Sequence, residues 1–243
     1  MTAVVRSIKE ASPETEIVVG TPYNAVWQNI PDITECVDLH AARDLYTRHI
    51  KDTDCEVMMQ EPYLSDDFVH RRSHLIEAWC GLYGIPYQGA LPCLHYSDEE
   101  KQAIKAKLPN DKPLFFIQTS GGAPNQQYPI SWMRDMPLPI AQDIVNRMNK
   151  KGYRTIHLRR PDQYPLENAD WIEMSMREMM GSILFSEKRL FIDSLAQHAA
   201  AALEMPSVVT WGGNRPEIFG YEMHTNIVPA LSEEHRHYID SFL

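Results

Sequence analysis

The sequence predicts an α/β protein made of two units, each a parallel sheet with helices packed on its faces. Three observations lead there. Short apolar runs of strand length alternate with segments whose apolar residues recur at helical spacing. The connections between them are short, which suits strand, helix, strand units with right-handed crossovers. The rhythm breaks at a charged stretch, SDEEKQAIKAKLPNDK, and restarts beyond it.

In the first half, AVVRSIKEA reads as a helix with Val4, Val5 and Ile8 on one face, followed by EIVVG as a short buried strand. ECVDL and CEVMMQ read as further strands. SHLIEAWCGLYG reads as an amphipathic helix presenting Leu75, Ile76, Trp79 and Leu82, with Gly84 placed to close it. These elements make residues 1–92 one domain. Residues 93–112 are a linker or a charged helix, with Ser97 and Glu100 at capping-box spacing. From residue 113 the order is strand PLFFIQ, helix PIAQDIVNRMNKKG, strand YRTIHL, helix SMREMMGSILFSE, strand RLFI, helix LAQHAAAALEM and strand SVVTW. That second domain runs over 113–230, and a helix is expected over 231–243.

Composition narrows the function. The chain has 243 residues, 44% of them apolar, enough for one large or two small cores. Thirty-three acids against 23 Lys and Arg give a formal charge of −10, which argues against nucleic acid or an anionic surface as a general partner and leaves room for a local basic pocket. Cys36, Cys55, Cys80 and Cys93 are scattered, so neither a disulfide framework nor a zinc ribbon is suggested, and a reducing cytoplasm is expected. No apolar stretch reaches the roughly 20 residues of a membrane span, and the opening residues lack a signal-peptide centre, so membrane association is peripheral at most.

Candidate ligand residues collect where strands end, because a parallel sheet binds its ligands at the carboxyl edge. Asp193 and Ser194 follow RLFI. Ser194 suits an N-cap, the first turn offers free N–H groups to an anion, and His198 lies one turn on, within reach of a phosphate or ribose. The alternative is an ordinary cap and a packing histidine, with Ala199 to Ala202 letting the helix approach the sheet. Asp193, Ser194 and His198 do not make a hydrolytic triad, since the G-x-S-x-G elbow is missing and the three crowd one turn. QTSGGAPNQQYP, from Gln118 to Pro129, follows another strand. Thr119 and Ser120 supply hydroxyls, and Gly121 and Gly122 permit close backbone approach to diphosphate, or form a plain turn; the lysine of a P-loop is missing. Arg159 and Arg160 end YRTIHL, where they either meet phosphate or pair with Asp162 or Glu167. TWGGNRP supplies one more strand-end loop. His70 and His74 near Asp66 and Asp67, and His235 with His237, read as helix-end residues rather than a metal site.

RLFIDSLAQHAAAALEMPSVVTWGG resembles the donor-binding segment of glycosyltransferase family 9, the heptosyltransferase family, in its strand, Asp-Ser turn, histidine one helical turn later and alanine-rich helix. FFIQTSGG resembles the strand and Thr-Ser loop that open that family's donor domain, and SIKEASPETEIVVGTPYNAVWQNIPDITECVDL resembles its early segment. The resemblance implies a GT-B-like architecture of two Rossmann-like domains facing a cleft, the first for the acceptor and the second for the nucleotide-sugar. It implies metal-independent transfer of a sugar from an ADP-heptose-like donor, the co-substrate in place of any cofactor, to a surface saccharide or glycolipid such as lipopolysaccharide core. Asp193, Ser194, Gln197, His198, Thr119, Ser120, Gly121 and Arg159 are then the donor-binding residues. Leu195 stands where the family has glycine, and no lysine follows the Thr-Ser loop, which leaves Arg159 or Arg160 to compensate. The first strand and the glycine loop with the family's catalytic aspartate are not found, so no base is assigned. Two expectations follow: a fragment of, or variation on, such an enzyme, or a catalytically inactive sugar-nucleotide-binding or scaffold protein.

Overall fold

A computed structural model describes residues 1–122 and 134–229. The expected C-terminal helix, His235 and His237, and the end of the QTSGGAPNQQYP stretch lie outside the described residues. The chain divides into two compact units, Met1–Ser97 and Asp98–Leu243.

The helices, in chain order, are α1 (Thr2–Ala11), α2 (Leu45–His49), α3 (Asp66–Val69), α4 (Leu75–Leu82), α5 (Asp98–Lys107), α6 (Leu138–Lys150), α7 (Met176–Ser182), α8 (Leu195–Ala202) and α9 (Pro216–Phe219). The strands are β1 (Val18–Thr21), β2 (Glu35–Asp38), β3 (Leu114–Ile117), β4 (Arg154–His157), β5 (Lys188–Ile192), β6 (Val208–Thr210) and β7 (Thr225–Ile227).

In the first unit β1 and β2 pair in parallel, Val18 opposite Glu35 and Thr21 opposite Asp38. Val5 of α1 joins Trp27, Ile30 and Cys93 in the core beside this ribbon, with Val19 and Cys36 packed against them. The Thr2 hydroxyl accepts the Cys93 N–H at 3.1 Å and so ties the start of α1 to the end of the unit. CEVMMQ departs from expectation. It forms no strand, and Val57 and Met59 are exposed, because no neighbouring backbone pairs with it. The face buried by α4 also differs: Ile76, Ala78 and Cys80 turn inward, while Leu82 is 40% exposed because the helix ends there. Gly84 does close α4, with φ at +66°.

The second unit holds one five-stranded parallel sheet of order β4-β3-β5-β6-β7. Its alternating residues face two layers. Phe115 and Ile117 of β3 and Leu190 and Ile192 of β5 pack on Ala141 and Val145 of α6. Phe116 and Phe191, both fully buried, point the other way, where α7 and α8 lie. Ala196, Ala199, Ala200 and Ala201 of α8 are at most 2% exposed, so the alanine run is packing surface that lets the helix sit close to β5. Residues 98–107 are the helix of the two readings left open, and belong to this unit. Ile104 is buried, α5 lies on α7, and Glu100 receives a forked pair of bonds from the Arg177 guanidinium at 2.6 and 3.1 Å. A capping box between Ser175 and Glu178 starts α7.

Candidate functional site

The strand order of the second unit places one topological switch point in the sheet. From β3 the chain crosses to β4 on one side and then returns to β5 on the other, so β3 and β5 flank a topological switch point. Loops leaving two such strands diverge and open a crevice at their carboxyl ends. Gln118 to Gly122 leave β3 there, and Asp193 and Ser194 leave β5. The loops come close: a Cβ added to Gly121 would stand 3.4 Å from Ser194 Oγ and 3.7 Å from Ile192 Cδ1. A side chain at 121 would thus rest in ordinary contact with Ser194 across the crevice, and Gly122, at φ +85°, takes a turn few other residues adopt.

Thr119 and Ser120 divide their work. Thr119 is 1% exposed and its Oγ1 lies 2.9 Å from Nε2 of His157, the last residue of β4, itself 2% exposed. Burial, aided by the Arg159 charge, lowers the His157 pKa to about 4, so the ring is neutral at pH 7. Ser120 is only partly buried, which leaves it, rather than Thr119, as the hydroxyl toward the crevice.

The chain returns beside this loop just before α6. The Met136 N–H bonds the Thr119 carbonyl at 2.8 Å, and the Gly121 N–H donates to Asp135 Oδ1 at 3.0 Å. That pairing sets Arg134 next to the glycine loop, close enough for its charge to act on Asp193.

Asp193 is 4% exposed. Its Oδ2 accepts from the side chain of Asn214, in the loop after β6. Burial pushes its carboxyl pKa up; the Asn214 amide, the Arg134 charge and the Gln197 amide pull against that. Ser194 does occupy the N-cap of α8, but its side chain caps no N–H; with extended backbone it leans toward Gly121 instead. The turn's N–H groups are thus left uncapped by that side chain. Gln197 is fully buried and donates to the Phe219 carbonyl at 3.1 Å, which makes it a tie to α9. His198 is half-buried, and its Nδ1 lies 2.9 Å from the Tyr221 hydroxyl, the two rings edge to face at 5.6 Å.

The two arginines after β4 are spent locally. Arg159 donates to the carbonyls of Arg160 and Gln163 and lies 5.0 Å over the Trp171 ring, whose own N–H returns to the Arg159 carbonyl. Arg160 forks onto Asp162 at 3.0 and 3.2 Å and also donates to the Gly122 carbonyl. Arg160 therefore braces the glycine loop through its pair with Asp162, while Arg159, with carbonyls and a ring for partners and no carboxylate, braces its own loop. His74 caps α4 through Nδ1, 3.2 Å from the Ile76 N–H, and α3 ends before His70, so the two histidines share no helix. Among the described residues no group of three His, Cys, Asp or Glu is arranged to hold a metal ion, and no helix is long and apolar enough to cross a membrane.

Sequence reasoning missed Arg134, Asp135, His157 and Tyr221, and reached Asn214 only as part of the TWGGNRP loop. Arg134 had a usable signal, being the only Lys or Arg between the end of β3 and Arg147 of α6. The others had none, since their roles depend on which loops the strand order makes neighbours.

No family model matches the chain, and no curated protein matches its sequence. Solved structures do match. ADP-heptose lipopolysaccharide heptosyltransferase II of E. coli superposes with a TM-score of 0.66 at 16% identity, over 96% of this chain and 86% of that one. A family 9 glycosyl transferase of Veillonella parvula gives 0.69 at 13% identity, over 99% and 84%. The dodecameric iron-containing heptosyltransferase TibC, solved with ADP-D-β-D-heptose, gives 0.66 at 11%, over 94% of this chain and 58% of its own. The chain thus has the heptosyltransferase-like α/β fold of glycosyltransferase family 9.

Proposed function

We propose that the protein is a glycosyltransferase that takes a sugar from a nucleotide-diphosphate donor, ADP-heptose-like, and passes it to a saccharide or glycolipid such as lipopolysaccharide core. The observation that carries this reading is the crevice at the β3/β5 switch point. There a hydroxyl and glycine loop, the first turn of α8 and Arg134 converge on one place suited to an anion. Arg134 takes the part that Arg159 was expected to play. Arg159 is held in its own loop, whereas Arg134 is beside Gly121 and Asp193.

In transfer, an acceptor hydroxyl attacks the anomeric carbon and loses its proton, while the nucleoside diphosphate departs with growing charge on its bridging oxygen. Arg134, the Ser120 hydroxyl and the N–H groups at the start of α8 stabilise that charge without a metal ion. Asp193, held by Asn214, turns to sugar hydroxyls, since a carboxylate facing the diphosphate would repel it. The acceptor side belongs to residues 1–97 in this reading. Free thiols at Cys36, Cys55, Cys80 and Cys93 accord with action in a reducing cytoplasm, at most against the inner face of a membrane.

A second reading rests on one observation: both carboxylates of the crevice are engaged, Asp193 by Asn214 and Asp135 by Gly121, so neither is placed as the base. The protein then binds the donor and transfers nothing. Titration calorimetry with ADP, UDP and GDP, and their sugars, tests both. Binding of one nucleotide family with sugar transfer to a lipopolysaccharide-core acceptor supports the enzyme; binding with no transfer or donor hydrolysis supports the inactive reading; no binding by any of them removes both.

A further inference from the structure

The buried pair Thr119 and His157 is unusual in having a polar atom left over. Both side chains are almost fully buried, their Oγ1 and Nε2 are 2.9 Å apart, and His157 Nδ1 is buried with no hydrogen-bond partner. A neutral imidazole carries one N–H and must put it on one of the two nitrogens. Placed on Nδ1, it would be a buried donor with no acceptor, which costs more than a bare lone pair in the same place. Placed on Nε2, it points at Thr119 Oγ1. The proton therefore belongs on Nε2, with Thr119 as the acceptor.

Thr119 is in turn the hinge of the crevice. Its carbonyl receives the Met136 N–H at 2.8 Å and so fixes the returning segment that carries Arg134 and Asp135, and Ser120 and Gly121 follow it directly. The register of the sheet makes the arrangement possible, since His157 stands opposite Ile117, two residues before Thr119. We propose that His157 is a positioning residue for the anion site: as an Nε2–H donor at the end of β4 it anchors Thr119, and through Thr119 holds Ser120, Gly121 and Arg134 in place for the phosphates of the ligand. It touches no ligand itself. This rests on the nucleotide-diphosphate reading of the same crevice.

The test uses the full-length protein and the nucleoside diphosphate that wild type binds, compared with the corresponding nucleoside, which has no phosphates. His157→Leu and Thr119→Val should each weaken the diphosphate about fivefold, the scale of one hydrogen bond, and leave the nucleoside unchanged. The double variant should lose no more than either single one, and His157→Gln, whose amide can still donate, should recover part of the loss. Nitrogen-15 spectra of wild type should show a protonated Nε2 and a bare Nδ1 on His157. Where His157→Leu fails to fold, Thr119→Val, which keeps the side-chain volume, and the spectra still decide. Diphosphate and nucleoside falling equally, neither falling, or a protonated Nδ1 would each overturn the inference. No binding of any nucleoside diphosphate by wild type would instead sink the functional reading on which it stands.

Discussion

At the scale of single residues, the crevice separates cations that look alike in sequence. Arg159 and Arg160 sit at a strand end, where phosphate ligands are met, yet their guanidiniums are consumed by carbonyls, Asp162 and the Trp171 ring. Arg134 lies 17 residues beyond the end of β3, and the Gly121 to Asp135 and Met136 to Thr119 bonds bring it back to the site. Arg134→Ala should therefore weaken nucleoside diphosphate binding by about 1.5–3 kcal/mol, the scale of a charged hydrogen bond, while Arg159→Ala should leave it within about 0.5 kcal/mol of wild type. Calorimetric titration of both variants decides, and the reverse order would return the phosphate to Arg159. Asp193 is a different case, a carboxylate buried at the expense of stability. Its folded pKa is raised by burial, so ionising it disfavours the fold as pH climbs past the usual carboxylate range. Asp193→Asn keeps the shape and can still accept from Asn214 through its own carbonyl. It should raise the unfolding free energy at pH 7, read from urea melts, by about 1 kcal/mol, and spare the bare nucleotide while weakening its sugar conjugate.

At the scale of elements, strand and helix identity was readable because burial and periodicity agree in the second unit. Phe115 and Ile117 on one face and Phe116 on the other make β3 an apolar run, and Ala196 to Ala201 announce a helix pressed on a sheet. CEVMMQ has equally good strand composition and no partner, and pairing is a fact about neighbours that composition cannot contain. β7 escaped notice for the opposite reason: TNI is polar and half-exposed, an edge strand formed because Val208 to Thr210 offer it a ladder. Asp193 and Ser194 were legible by the same logic as strand ends. That Asn214 and Gly121 would come to meet them was not, because each lies in a different loop. The short element α9 shows how tightly such a loop is set. A Cβ on Gly220 would lie 2.7 Å from the Pro216 carbonyl oxygen and 2.9 Å from both Pro216 Cα and Trp211 Cζ2, and Trp211 is fully buried. Gly220→Ala should cost about 1–3 kcal/mol of stability. It should also loosen Gln197, whose amide bonds the Phe219 carbonyl next door. Denaturation midpoints measured beside nucleotide affinity would show both losses; an unchanged midpoint would mean the loop yields at no cost.

At the scale of the whole molecule, both units lose stability in acid, the first through its buried Met1 ammonium, lowered to about 6, and the second through two histidines. His157 and His224 both lie in the second unit, and burial depresses both, His157 to about 4. An unfolded histidine takes up its proton near the ordinary value of 6.5, while folded His157 refuses one until about 4. The unfolded state thus binds more protons in between, so the contribution is fully present above pH 6.5 and falls as pH drops toward 4. At pH 5 the loss from His157 alone is on the order of 2 kcal/mol, with His224 adding in the same direction. Asp193, whose pKa is raised, acts in the opposite sense and softens the lower end of that window. The first unit carries a two-stranded ribbon of four residues a strand, an arrangement that is marginal without its helices, so its unfolding in urea should be the earlier event. Taking the pH from 7 to 5 should then lower both transitions, the later, second-unit one by more because its two histidines outweigh the Met1 ammonium, and so narrow the gap between them. His157→Gln, where it folds, removes the titrating ring, so the gap should narrow less in that variant. Urea melts at the two pH values, followed by tryptophan fluorescence with Trp211 and Trp171 reporting the second unit and Trp27 and Trp79 the first, give the answer. An equal narrowing in wild type and variant would remove His157 from the acid response.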